Sequence, residues 1–138
     1  MNVNTVFDVA RHALSAQVVR LNTVSSNIAN ATSVSTTEAA AYRPMRPVFE
    51  TIYARGVGQS GVSTTRAREV VQLDRDPVRQ YRPDHPLANE EGYVFTSTVN
   101  VEEEMVEMLE ASRQYQNMLE TVSTLRTLMA RTVRMGQG

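Results

Sequence analysis

The side chains of this 138-residue chain that could carry chemistry fall into a few groups, and each asks for a partner the sequence does not supply. Asp8 and His12 stand four residues apart, a spacing at which a carboxylate and an imidazole could grip one metal ion from a single helix face. In the seven-residue frame set by Phe7 they fall on the solvent side, so an exposed i,i+4 pair is expected. Asp84 and His85 lie in RPDHP, a turn by composition, and His12 and His85 are too far apart for a zinc spacing. Glu102, Glu103, Glu104, Glu107 and Glu110 suggest acid–base work, but that needs two carboxyls whose surroundings split their acidities inside a pocket. Massed at the start of a helix, they read instead as capping and subunit-contact residues. Ser25 and Ser26 have neither a nucleophile-elbow glycine pattern nor a histidine placed by motif, and there is no phosphate-cradling glycine loop. No catalytic residue, cofactor, metal or small-molecule substrate is therefore expected.

Composition limits what else the chain can be. Hydrophobic residues make up 41% and aromatics 6%, with no Trp, so a core must be built from Val, Leu, Ala and Met and is thin for one domain. A net charge of −1 argues against a protein that coats nucleic acid. The sum hides a pattern: residues 41–89 carry eight Arg and five acids, residues 90–110 seven Glu and no base, residues 111–138 four Arg and one Glu. An acidic block between two weakly basic ones suits head-to-tail or lateral pairing of copies, beside the plainer reading of a solvated face. Tyr42, Tyr53 and Tyr81 interleave the Arg-rich 43–82 segment, but its acids dilute it and no nucleic-acid partner is expected. All 14 bases are Arg, the residue suited to planar, bidentate pairs at interfaces. Without Cys, neither a disulfide nor a thiolate metal site can form. No basic stretch followed by an unbroken apolar one opens the sequence, and no run approaches the ~18 apolar residues of a membrane span. Neither a cleaved secretory signal nor a direct membrane span is expected.

Periodicity supplies the positioning elements. Phe7, Leu14, Leu21 and Ile28 recur every seven residues, and Ala10, Gln17, Val24 and Ala31 lie three further on. That is an a/d seam predicting a helix over 5–30, with Thr5 as N-cap ahead of Asp8 and Asn30 as its stop. Val101, Met108, Tyr115, Val122 and Met129 repeat the pattern over 101–134, with Ala111, Met118, Leu125 and Thr132 beside them. Asn100 should cap this second helix, with Glu103 at its third position and Gly136 stopping it. Met105, Leu109, Leu119, Leu128 and Val133 widen its stripe, so burying one face of each helix in a single chain leaves a second stripe wet. Asn27, Asn30 and Asn117 could bond across packed helices, with a C-cap the equal alternative for Asn30. Met105, Met108, Met118 and Met129 are adaptable packers.

Between the helices, residues 32–41 read as a loop, and all five prolines fall within 42–92. Short β-prone runs at 47–53, 61–65, 70–73 and 93–98 predict a small antiparallel insert. The expected fold class is α+β: long N- and C-terminal helices packed as a coiled coil with a small β-rich insert. Its parts are an N-terminal helix over 1–31, a loop plus insert over 32–99, and a C-terminal helix over 100–138. The expected subunit interface comprises Phe7, Leu14, Leu21, Val24, Asn27, Ile28 and Asn30 on the first helix. On the second it comprises Val101, Met108, Tyr115, Met118, Val122, Leu125 and Met129. A soluble coiled-coil adaptor with no filament role is the alternative function.

The segment Ser25-Ser26-Asn27-Ile28-Ala29-Asn30-Ala31-Thr32 is similar to the SSNIANAxT signature of bacterial flagellar rod and hook proteins. Tyr42-Arg43 with Phe49, the run His85-Pro86-Leu87-Ala88-Asn89-Glu90-Glu91-Gly92-Tyr93-Val94, and Ala111-Ser112-Arg113-Gln114-Tyr115-Gln116-Asn117 narrow the resemblance to the proximal-rod branch. It covers essentially the whole chain. The resemblance implies a structural subunit of the periplasmic rod, exported unfolded and uncleaved through the flagellar type III apparatus. It implies partners among other rod proteins and copies of the same chain, torque carried through interlocked helices, and terminal helices that order on assembly. It also makes His85 a turn or packing residue.

Overall fold

The computed structural model describes residues 3–53 and 63–136. Two helices dominate, α1 (Val3–Ala29) and α2 (Val101–Gly136). They run about 40 and 54 Å at 1.5 Å per residue. α1 starts upstream of Thr5, so Thr5 lies inside the helix rather than at the expected N-cap position; no acid sits in its first turn. The apolar phase of Val3, Val6 and Ala10 carries the helical period past the threonine. At the other end, both the backbone N–H and the side-chain amide of Asn30 donate to the Ser26 carbonyl, at 3.1 and 2.8 Å. Asn30 thus satisfies a carbonyl the helix end leaves open. Asn100 caps α2 as its sequence predicts, its Oδ1 accepting from the backbone N–H of Glu102 at 3.0 Å and of Glu103 at 3.3 Å.

The intervening chain makes two small antiparallel sheets. β2 (Met45–Tyr53) and β3 (Ser63–Gln72) form a two-stranded ribbon, its register shifted by one residue at Val48/Phe49. The runs expected at 61–65 and 70–73 are parts of this one strand β3; positions 61 and 62 lie outside the described residues. β1 (Val34–Ser35), β5 (Tyr93–Thr96) and β4 (Val78–Tyr81) make a second sheet in the order β1-β5-β4. β1 falls within the expected loop 32–41, and β4 lies outside every β-prone run. Both are short edge strands whose only sheet neighbour is β5, so pairing rather than propensity holds them.

The helices lie antiparallel, since Asn27 near the end of α1 meets Glu104 near the start of α2 while Arg20 reaches Glu107 and Glu110. The β2–β3 ribbon packs along α1 rather than standing apart from it. Thr64 Oγ1 donates to the Val9 carbonyl at 3.1 Å at one end, and Met45 bonds Asn27 at the other. Among the described residues the buried hydrophobic side chains are Ala10, Ala16, Val24, Ala41, Val94 and Ala111. Four of the six are alanines, so close backbone approach rather than bulk fills the interior.

Candidate assembly surface

The tightest part of the molecule is polar. Asn27, with 0% of its surface exposed, uses both amide hydrogens and both oxygen lone pairs. Its Nδ2 donates to the Met45 carbonyl at 2.9 Å and to Glu104 Oε2 at 3.0 Å. Its Oδ1 accepts from the Met45 backbone N–H and from the Tyr42 hydroxyl, each at 2.9 Å. With the Tyr42 hydrogen committed there, Ser26 Oγ, 3.2 Å away, donates to the tyrosine oxygen. Glu104, 1% exposed, receives the Arg46 guanidinium on its other oxygen. One amide and one carboxylate thereby tie α1, α2 and β2 together. Next to them Arg20 donates to Glu107 Oε2 through Nη2 at 2.6 Å and Nε at 2.9 Å, with Glu110 at 3.8 Å.

This corrects the expectation for the glutamates. Glu104 and Glu107 make contacts within the chain, because their helical phase turns them toward α1 and β2. Glu104 stands in step with Met108, Ala111 and Tyr115, a phase that in the sequence alone marks it as inward-facing. Asp8 pairs with Arg11 at 3.3 Å rather than with His12, since i,i+3 brings a longer, always-charged side chain within reach. Asn117 is exposed and bonds only through its carbonyl, which accepts from Thr121 Oγ1 at 2.9 Å, so it does not bridge to α1. Its position on the outward side of α2 explains this. His85 occupies a turn, its Nδ1 accepting from the Leu87 N–H at 3.1 Å.

The remaining interface candidates line the inner faces. Val24 is buried with Asn27; Phe7, Leu14, Leu21, Ile28 and Asn30 are half-buried on α1. So are Val101, Met108, Tyr115, Met118, Val122, Leu125 and Met129 on α2. The second stripe is exposed in this chain. Met105 (58%), Val106 (65%), Leu109 (54%), Leu119 (44%), Leu128 (53%) and Val133 (58%) all face solvent. Every residue from 130 to 136 is exposed as well. An apolar surface of this extent along one helix marks a contact site rather than ordinary solvated surface.

The arginines of the middle segment are largely matched within the chain. Arg43 pairs with Asp74 at 3.3 Å, Arg66 with Glu50, Arg75 with Glu103 at 3.9 Å and Arg79 with Glu91 at 2.7 Å. Arg79 also lies over the Tyr93 ring, 3.7 Å from its centroid. The loop from β4 to β5 is held by Asn89, whose Oδ1 accepts from the Glu91 and Tyr93 N–H groups at 3.1 and 2.9 Å. Gly92 turns it at φ +81°, where a Cβ would come within 2.9 Å of the Tyr81 ring. Among the described residues no cluster of three or more His, Asp or Glu could hold a metal ion. Nor is any described helix long and apolar enough to cross a membrane.

Two family models match the elements that build this surface. One described as flagella basal body rod protein spans residues 7–34, and one described as flagellar basal body rod FlgEFG protein C-terminal spans residues 90–135. The chain is 37% identical over 137 residues to flagellar basal-body rod protein FlgC of Escherichia coli O6:H1, covering 99% of this chain and 100% of that one. It is 39% identical over 140 residues to the FlgC of Yersinia enterocolitica, with 99% and 100% covered. Against the FlgC of Agrobacterium fabrum it is 35% identical over 125 residues, with 91% and 88% covered.

Proposed function

From the premise that this chain belongs to the FlgC family of flagellar basal-body rod proteins, and is a structural subunit of that rod, we propose that α2 carries its main subunit contacts. The exposed apolar flank of α2 is the single observation that supports this most. Met105, Leu119 and Val133 follow one another on that flank, and no part of the described chain covers them. In the rod they become dry against neighbouring subunits, and the inner seam residues Leu21, Val24, Val122 and Leu125 tighten into a coiled coil as they do. The interface residues named from the sequence are the ones that gain order in this step.

The chain works mechanically. It turns over no substrate; interlocked helices carry torque along the proximal part of the rod, in the periplasm. The three-part organisation serves this role, with 1–31 and 100–138 in the axial layer and 32–99 strapped onto them. Export through the flagellar type III apparatus without a cleaved signal fits helices held mainly by small buried side chains and one polar knot, which can be unthreaded and reformed.

Met105→Asp combined with Leu119→Asp tests the reading, because both side chains are already in water and the fold has little to lose. The expected result is a chain with unchanged circular dichroism that no longer enters purified basal bodies or restores swimming to a strain lacking it. Full restoration of swimming by this variant would overturn the assignment of α2.

A further inference from the structure

One face of α2 is exposed along its whole length. Residues 102, 106, 109, 113, 116, 120, 124, 127, 131 and 134 follow one another at steps of three and four, and every one of them faces solvent. This face is opposite the seam; Val106 and Leu109 of the exposed stripe lie on it, and Met105 and Leu119 lie to one side of it. Its character changes from end to end. It begins with Glu102, flanked by Glu103, passes to Val106 and Leu109, and ends with Arg131 and Arg134 beside Leu128 and Met135. Among the described residues Glu102, Arg131 and Arg134 have no ion-pair partner within 4.0 Å, and Glu103 has only the 3.9 Å contact to Arg75.

The helix dipole accounts for acids in the first turn and for Arg134 in the last. It does not account for apolar residues beside each charged end. Each end therefore has what the other needs: an acidic rim with an apolar centre, and a basic rim with an apolar centre. Two copies side by side, parallel and in register, would oppose like charges, so the charges disfavour that arrangement. An antiparallel pair would satisfy both ends at once, but it closes on itself with two-fold symmetry and cannot propagate. A polar, open assembly leaves a parallel arrangement displaced along the axis.

Resting on the rod-subunit reading, we propose that this face is a head-to-tail contact between two copies of this chain. The Arg131 and Arg134 end of one α2 docks on the Glu102 and Glu103 end of the next, both pointing the same way. A displacement of about 25 residues brings Glu102 beside Thr127 and Val106 beside Arg131, or about 38 Å along the axis. Val106 and Leu109 then pack against Leu128 and Met135 while the charged rims pair around them.

The absence of Cys makes the geometry directly testable in the full-length chain. Glu102→Cys and Thr127→Cys, which that displacement sets side by side, are introduced together, and the concentrated protein is oxidised. A ladder of disulfide-linked oligomers is expected, each needing the cross-pair 102–127. Cross-linked dimers alone would overturn the proposal in favour of the antiparallel pair, and cross-linking of the Glu102→Cys single variant with itself would overturn it in favour of in-register pairing. No cross-linking at all would overturn it also.

A charge-reversal series supplies the second readout. Glu102→Arg with Glu103→Arg should weaken self-association about fivefold, as should Arg131→Glu with Arg134→Glu, and the combined fourfold variant should recover it. Failure to recover, with native circular dichroism, would overturn the proposal. Entry of these variants into basal bodies separates the two readings: normal entry with no ladder sinks only the head-to-tail contact, whereas failure of the Met105 and Leu119 test concerns the rod contacts themselves.

Discussion

The inner face at the start of α2 and the outer side of the same helix are built on opposite terms. Around Glu104 the helix is closed by its own chain, with a buried amide and carboxylate that bond each other, β2 and the Tyr42 hydroxyl just before it. On its outer side the same helix leaves Met105, Val106, Leu109, Leu119, Leu128 and Met135 open to water. At this joint the closed contacts are polar, while the side chains left open along the outer side are apolar. The difference follows from what each kind of contact requires. A buried polar network demands every partner in fixed geometry, which suits a joint made once during folding. Apolar surface accepts many partners and can wait for a neighbour.

Three substitutions would break or sharpen this contrast. Arg46→Ala leaves the Glu104 carboxylate, 1% exposed, with Asn27 as its remaining partner. It should destabilise the chain by about 3–5 kcal/mol, read from the urea midpoint of the full-length protein. Asn27→Ala strands the Met45 N–H and carbonyl and takes one bond from Glu104, so about 2–3 kcal/mol is expected in the same measurement. Leu128→Ser, by contrast, alters a side chain that is 53% exposed and should move stability by no more than ~0.5 kcal/mol. Equal losses for Leu128→Ser and Asn27→Ala would mean that the outer side of α2 is as closed as the joint around Glu104, and the contrast would be wrong.

Both helices were legible from the seven-residue repeats, and the caps at Asn30 and Asn100 from residue type and place. These are local signals, in which spacing along the chain is also spacing in space. Thr5 misled because a threonine near the start of an apolar repeat resembles a cap whether or not the helix continues past it. β1 and β4 escaped notice because two- and four-residue strands take their structure from β5, which is distant in sequence. The Asn27–Glu104 contact joins residues 77 apart, so no spacing rule reaches it. Its trace was nonetheless present, in a glutamate sharing a helical phase with Met108 and Ala111. A run of five acids concealed that phase by suggesting that all of them face water.

The ribbon fastened along α1 has a mechanical meaning. It is bonded to the helix at Val9 and again at Asn27, about 27 Å apart, and its own strands span about 24 Å between the same points. A bar joined at two separated points to a second bar cannot flex without one stretching and the other shortening. Flexure of α1 therefore strains a ladder of β-hydrogen bonds, and the strap resists bowing much as a flange stiffens a beam.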